Sequence, residues 1–388
     1  MVFHISRKRY IQEDQSHRGC EEWRSQKENL EVGNKRNREV FMDKIILPLG
    51  ISPIVTYTNY AYPISSFCYD DKYNNWFYSN YTNLNIVNPN DELKMNFISG
   101  DAFGGVKPLR YNQDSNINDV IDDIIAKLSD GWYIYTYVNY KYINVHFDFF
   151  HNILIYGINL REKIIYATGY KFDRFNQFGE FKISIYDFCK AYYDEDNKNK
   201  DRYIFWKPRN EKEKFLYKNF KIQLEDYLNS RFNLSHIDSY YYNTDRMRTV
   251  EGIPMEEFII DGHKKNKYIY GIACGSFLKD LLDREREQVQ EYVNIDLRLF
   301  RSYWEHKKIM NNRFIYFLNN KTYPFDMSLF IEKSREIEEK ARIIFNYLIK
   351  CQMTNKKPKD ISYYFNDIYL QEIDIYNKFL NLVEKTNC

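Results

Sequence analysis

The sequence predicts an α+β protein, and three patterns carry the prediction. Between Phe149 and Tyr170, "FFHNILIYGINLREKIIYATGY" reads as two apolar strands around the turn "NLRE", an antiparallel hairpin. Amphipathic stretches flank it, "INDVIDDIIAKL" before and "SIYDFCKAYYD" after, each with the spacing of a one-faced helix. Beyond about residue 205 the apolar period lengthens from two to about 3.6, so the remainder reads as mainly helical.

The elements follow in order. Residues 1–41 hold nine Lys+Arg, seven Asp+Glu and one Tyr without apolar periodicity. They are expected to be a disordered tail, or an upstream extension of the reading frame. The folded part is expected to begin at Met42 with "MDKIILPLGISPIV". Ile117, Val120, Ile121, Ile124, Ile125 and Leu128 share one helical stripe, and Gly131 ends that helix. "WYIYTYVNYKYI" has the alternation and the aromatic, β-branched content of a strand. The hairpin strands span Asn152 to Ile158 and Lys163 to Tyr170, and Ser184 caps the next helix. After the polar linker "DEDNKNKDR", a helix capped by Asn210 buries Phe215, Leu216, Phe220, Leu224, Tyr227 and Leu228. "FIEKSREIEEKARIIFNYLIK" repeats the pattern through Ile337, Ala341, Ile344, Phe345 and Leu348. The expected domains are therefore 42–205 and 206–388.

Composition narrows the function. Lys+Arg 56 against Asp+Glu 54 leaves no basic surplus for neutralising phosphates, which argues against nucleic acid as a partner. No apolar run is long enough to span a bilayer, and the first residues lack a signal peptide's apolar centre. A cytoplasmic address and no membrane partner are expected. The six cysteines are scattered without a CxxC pair, as suits reduced thiols. Tyr at 37 and Phe at 28 supply large apolar area, and Tyr keeps a polar tip for a core or an interface.

The familiar nucleotide, metalloprotease and esterase motifs are missing, and "GDAFGG" at Gly100 to Gly105 reads as a turn. His146, Asp148 and His151 bracket "HFDFFH", but three local groups are a thin metal set. The alternative chemistry is a thiol and imidazole pair, with a cysteine at a helix start and a histidine held on a strand. Cys68 in "YPISSFCYDD" is the suitable upstream thiol and His151 the imidazole. No carboxylate or amide sits on the strand after the histidine, so Asp173 and Asn159 are the fallback orienting groups. Cys274 in "GIACGSF" has small neighbours but follows His151. His306 in "YWEHKK" reads as exposed or structural, and His263 lies in a turn.

The succession of helix, "SDGWYIYTYVNYKYI", "FFHNILIYGINLREKIIYATGY" and "EFKISIYDFCKAY" resembles the N-terminal domain of butirosin biosynthesis protein H and its relatives, found with nonribosomal peptide clusters. The resemblance extends through "NIDLRLFRSYWEHKKIMNNRFIYFL". It implies a papain-like cysteine peptidase fold with an antiparallel sheet, followed by a mainly helical domain. It also implies acyl transfer or amide formation. A cysteine takes an acyl group from an acyl or peptidyl carrier protein, a histidine acts as base, and a small-molecule amine accepts the product, with no metal or organic cofactor. His151 matches the family's strand-leading histidine. The family's helix-opening His-Cys pair has no counterpart, since Cys68 lacks both the preceding His and the small residues after it. That departure leaves open a catalytically silent protein of the same fold, holding a carrier protein or a peptide. Plain peptidase activity ranks last, for want of an orienting residue.

Overall fold

The structure is a computed structural model. It describes residues 43–87, 93–98, 109–114, 119–143, 148–172, 177–197, 203–209, 215, 217–231, 258–260, 264–266, 269–287 and 295–386. The expected tail 1–41, "GDAFGG", Asn210 and Leu216 lie outside them. It is an α+β chain with antiparallel sheet pairings and a largely helical C-terminal part.

The chain forms two compact units, Met1–Leu49 with Tyr111–Lys207, and Gly50–Arg110 with Pro208–Cys388. One boundary falls between Lys207 and Pro208, beside the expected division near residue 205, while Gly50–Arg110, expected with the first domain, groups with the C-terminal half. A linear pattern of apolar residues cannot reveal such an excursion, because it records the period of each segment and not its packing partner.

In the first unit, strands β1 (Lys44–Ile46), β4 (Leu109–Asp114), β5 (Tyr133–Asn139), β6 (Phe150–Asn159), β7 (Ile164–Tyr170), β8 (Phe178–Ser184) and β9 (Tyr203–Pro208) form one sheet. Its order is β4-β9-β5-β6-β7-β8, with β1 also paired to β6. The hairpin is β6 and β7, as its alternation predicts, and its register runs from Leu154 opposite Thr168 to Asn159 opposite Ile164. Helices α3 (Val120–Ser129) and α4 (Ile185–Tyr192) supply Val120, Ile124, Leu128, Phe188 and Ala191 to a core with Ile134, Val138, Ile153, Ile155, Ile165 and Ala167. Asp119 caps α3 by accepting from the amides of Ile121 and Asp122, and Ser184 caps α4 by accepting from Asp187. Tyrosines follow the alternate positions of the strands: the Tyr135 and Tyr137 hydroxyls meet at 3.1 Å, and Tyr156 donates to Glu180.

The second unit begins with α1 (Thr58–Ser65) and α2 (Asn74–Ser79), then β2 (Asn83–Val87) and β3 (Lys94–Ile98). A short pair β10 (Phe258–Ile260) and β11 (Lys264–Asn266) follows, and β12 (Ile269–Tyr270) completes a sheet of order β12-β2-β3. Among the described residues five helices follow in the C-terminal part: α5 (Tyr217–Leu228), α6 (Ala273–Glu287), α7 (Leu297–Asn319), α8 (Ser328–Thr354) and α9 (Ser362–Lys385). The predicted stripe of α8 is buried, including Ile337, Ala341, Ile344 and Leu348. Buried Glu305 of α7 ties down the chain ahead of α1, accepting from the amides of Val55 and Thr56 and from the Thr56 hydroxyl. Burial pushes its carboxyl above the ordinary value, against the opposing pull of Arg301.

Candidate functional site

Cys68 does not open a helix. It lies in the turn after α1, and its amide donates to the Ile64 carbonyl at 2.8 Å, so the sulfur stands at the carbonyl end of that helix. The helix dipole there disfavours a thiolate, the reverse of the expected arrangement. Burial pushes the thiol up to about 12. Gly50 closes in from the other side: a Cβ built on it would meet the Cys68 sulfur at 2.5 Å and the Tyr69 amide nitrogen at 2.6 Å. Helices α1, α2 and α3 contain no cysteine at all.

His151 belongs to the other unit from Cys68. It pairs across the sheet with Val138, so its ring projects to the face that carries the apolar core under α3 and α4. Four rings surround it. Phe149 stacks at 5.6 Å, and Phe172, Tyr140 and Tyr170 stand edge-on at 5.0, 6.1 and 6.2 Å. Nδ1 donates to the Asn152 carbonyl at 3.1 Å, which leaves Nε2 as the basic nitrogen. Burial among the rings lowers its pKa, so the imidazole is neutral and apolar in its surroundings. Phe172 holds its place at φ 45°, a left-handed conformation costly for an aromatic residue.

The fallback orienting groups do not complete a triad. Asn159 is eight residues along β6 from His151, about 26 Å away at the rise of a strand. Its Oδ1 accepts from the Glu162 amide in the hairpin turn. Asp173, His146 and His263 lie outside the described residues. Asp148 is engaged by Lys141 and Asn139, and Lys141 also binds Asp194. Among the described residues, no three His, Cys, Asp or Glu groups are placed to hold a metal ion, and none of the four described cysteines forms a disulfide. No described helix is long and apolar enough to cross a membrane.

A buried cluster of ionisable groups lies in the second unit, on residues that no motif marks. Lys307 on α7 and Glu372 on α9 are fully buried and paired at 2.8 Å. Lys307 also donates to the Tyr227 hydroxyl, and the hydroxyls of Tyr227 and Tyr376 donate to Glu372 at 2.9 and 3.2 Å. Cys274, at the start of α6, is buried beside this group, and burial pushes its thiol up to about 12 despite the attraction of Lys307. A signal for the pair exists in the periodicity. Glu372 occupies the core stripe of Phe365, Ile368, Tyr376 and Phe379, and Lys307 that of Tyr303, Met310, Phe314 and Phe317.

His306 is also fully buried rather than exposed. Its Nε2 donates to the Thr82 carbonyl at 2.7 Å and its ring stacks on Tyr227 at 4.9 Å, while Nδ1 has no hydrogen-bond partner among the described residues. Burial first, then the charges of Lys307 and Arg313, drive its pKa well below the ordinary value. The unfolded chain takes up protons near pH 6.5 that the folded His306 and His151 refuse. Their contribution is therefore complete above that pH and is lost as the pH falls. Glu305, with its raised pKa, works in the opposite sense. Urea midpoints are expected to drop between about pH 7 and about pH 5.5. His306→Gln, which keeps a donor for Thr82, should flatten most of the drop, and an unchanged slope would remove His306 as its source.

The chain matches no protein-family model and no curated protein.

Proposed function

We propose that the chain is a catalytically silent relative of the butirosin biosynthesis protein H N-terminal domains, a papain-like scaffold that holds an acyl or peptidyl carrier protein in nonribosomal peptide-type metabolism. The observation that carries the silent reading is the state of Cys68. At the carbonyl end of α1, packed against Gly50 on one side and with its thiol raised, it lacks the charge to take an acyl group. His151, neutral and ringed by aromatics, supports the same reading, because a general base needs a substrate proton within hydrogen-bond reach. A carrier-protein partner would place the chain in the cytoplasm.

Incubation with acylated carrier protein, followed by native and intact-mass measurement, tests this. The expected result is a carrier complex and no acyl adduct on wild type or on Cys68→Ala. An adduct on wild type that disappears in Cys68→Ala would overturn the proposal and restore an acyltransferase with an amine acceptor. Absence of any carrier complex would overturn the scaffold role.

A further inference from the structure

We propose that the groove between α5 and α9 in the second unit binds a short peptide with a free C-terminal carboxylate, which Arg231 receives. The groove has a volume of about 460 Å³, within the range of small-molecule sites. Arg231 lines it and is fixed from three directions. Its amide donates to the Asp226 carbonyl at 2.9 Å, its carbonyl accepts from Asn83 at 3.0 Å, and its Nε donates to the buried Asp226 carboxylate at 2.7 Å. The side chain is nonetheless 58% exposed. With Nε engaged, the two terminal amino groups, which bond no other described residue, form a forked donor of the geometry that carboxylates accept.

The rest of the lining suits a peptide. Leu228, Ile373 and Leu380 are the apolar members of a mainly polar lining. Asn377 donates to its own helix at Ile373, which leaves its amide oxygen for a peptide N–H, and Asn381 offers both ends of its amide. At the far end, Glu225 and Glu384 share the single ammonium of Lys221 at 3.7 and 3.0 Å, a net negative pole suited to a peptide's amino terminus. Asn377 and Glu384 are seven residues apart on α9, about 10 Å along a helix. An extended tripeptide is about 10 Å long. The proposal uses neither Cys68 nor His151, so it stands apart from the carrier-protein reading.

Calorimetric titration of the full chain with the tripeptide Ala-Leu-Ala tests it. Saturable binding is expected, weakened by about tenfold or more when the peptide carries a C-terminal amide. Arg231→Gln should abolish it, and Arg231→Lys should weaken it, because an ammonium lacks the fork. Asn381→Leu, an exposed change that leaves the Asp226 anchor intact, should weaken binding without altering the melting temperature. No saturation at millimolar peptide would overturn the proposal, as would equal affinity for acid and amide, or unchanged affinity in both Arg231→Gln and Asn381→Leu.

Discussion

Lys307→Met is expected to destabilise the chain by about 3–5 kcal/mol in urea titrations, the range for removing one partner of a buried ion pair. Fully buried Glu372 would lose the ammonium at 2.8 Å and keep only the hydroxyls of Tyr227 and Tyr376. The large cost comes from the stranded charge and not from the worth of the pair. Lys307→Met combined with Glu372→Leu should therefore recover part of the loss. Adding Tyr227→Phe and Tyr376→Phe should recover more, since both hydroxyls lose their acceptor when the carboxylate goes. A double variant no more stable than Lys307→Met would show that the pair itself supplies the stability.

Gly271→Ala should cost a comparable amount, about 3–5 kcal/mol, from overpacking added to left-handed strain. Gly271 sits at φ 59°, and a Cβ there would lie 2.1 Å from the Tyr227 carbonyl oxygen and 2.9 Å from its carbonyl carbon. Those atoms cannot step aside: the same carbonyl accepts from the Ile272 amide, and the Gly271 amide donates to Leu84. The glycine therefore joins α5, β2 and the start of α6 at one point, beside the tyrosine that holds Lys307. Thermal unfolding measures the effect. A shift of less than about 2 °C would mean that the α5 end yields without cost.

Local structure was legible wherever one segment's pattern settles its own conformation. The β6–β7 hairpin, the Val120 to Leu128 part of the helix expected from Ile117, the Ser184 cap and the α8 stripe all follow from periods and caps within about 20 residues. The candidate thiol was not legible in that way. Whether Cys68 begins or ends a helix depends on where α1 starts, and "TNYAYPIS" carries no side-chain cap to mark it. The Lys307–Glu372 pair was half legible: each charge interrupts an apolar stripe, but only the packing of α7 near α9 makes them partners 65 residues apart.

The order of residues determined the α+β class, the hairpin with His151 at its mouth and the helical C-terminal half, because backbone propensity and the alternation of apolar side chains act over a few residues at a time. Tertiary structure alone decided that Gly50–Arg110 groups with the C-terminal helices, that four rings enclose His151 and that Gly50 closes on the Cys68 sulfur. Burial and ionisation depend on neighbours brought in from far along the chain, so a thiol and an imidazole that look reactive on the line can be neutral in the fold.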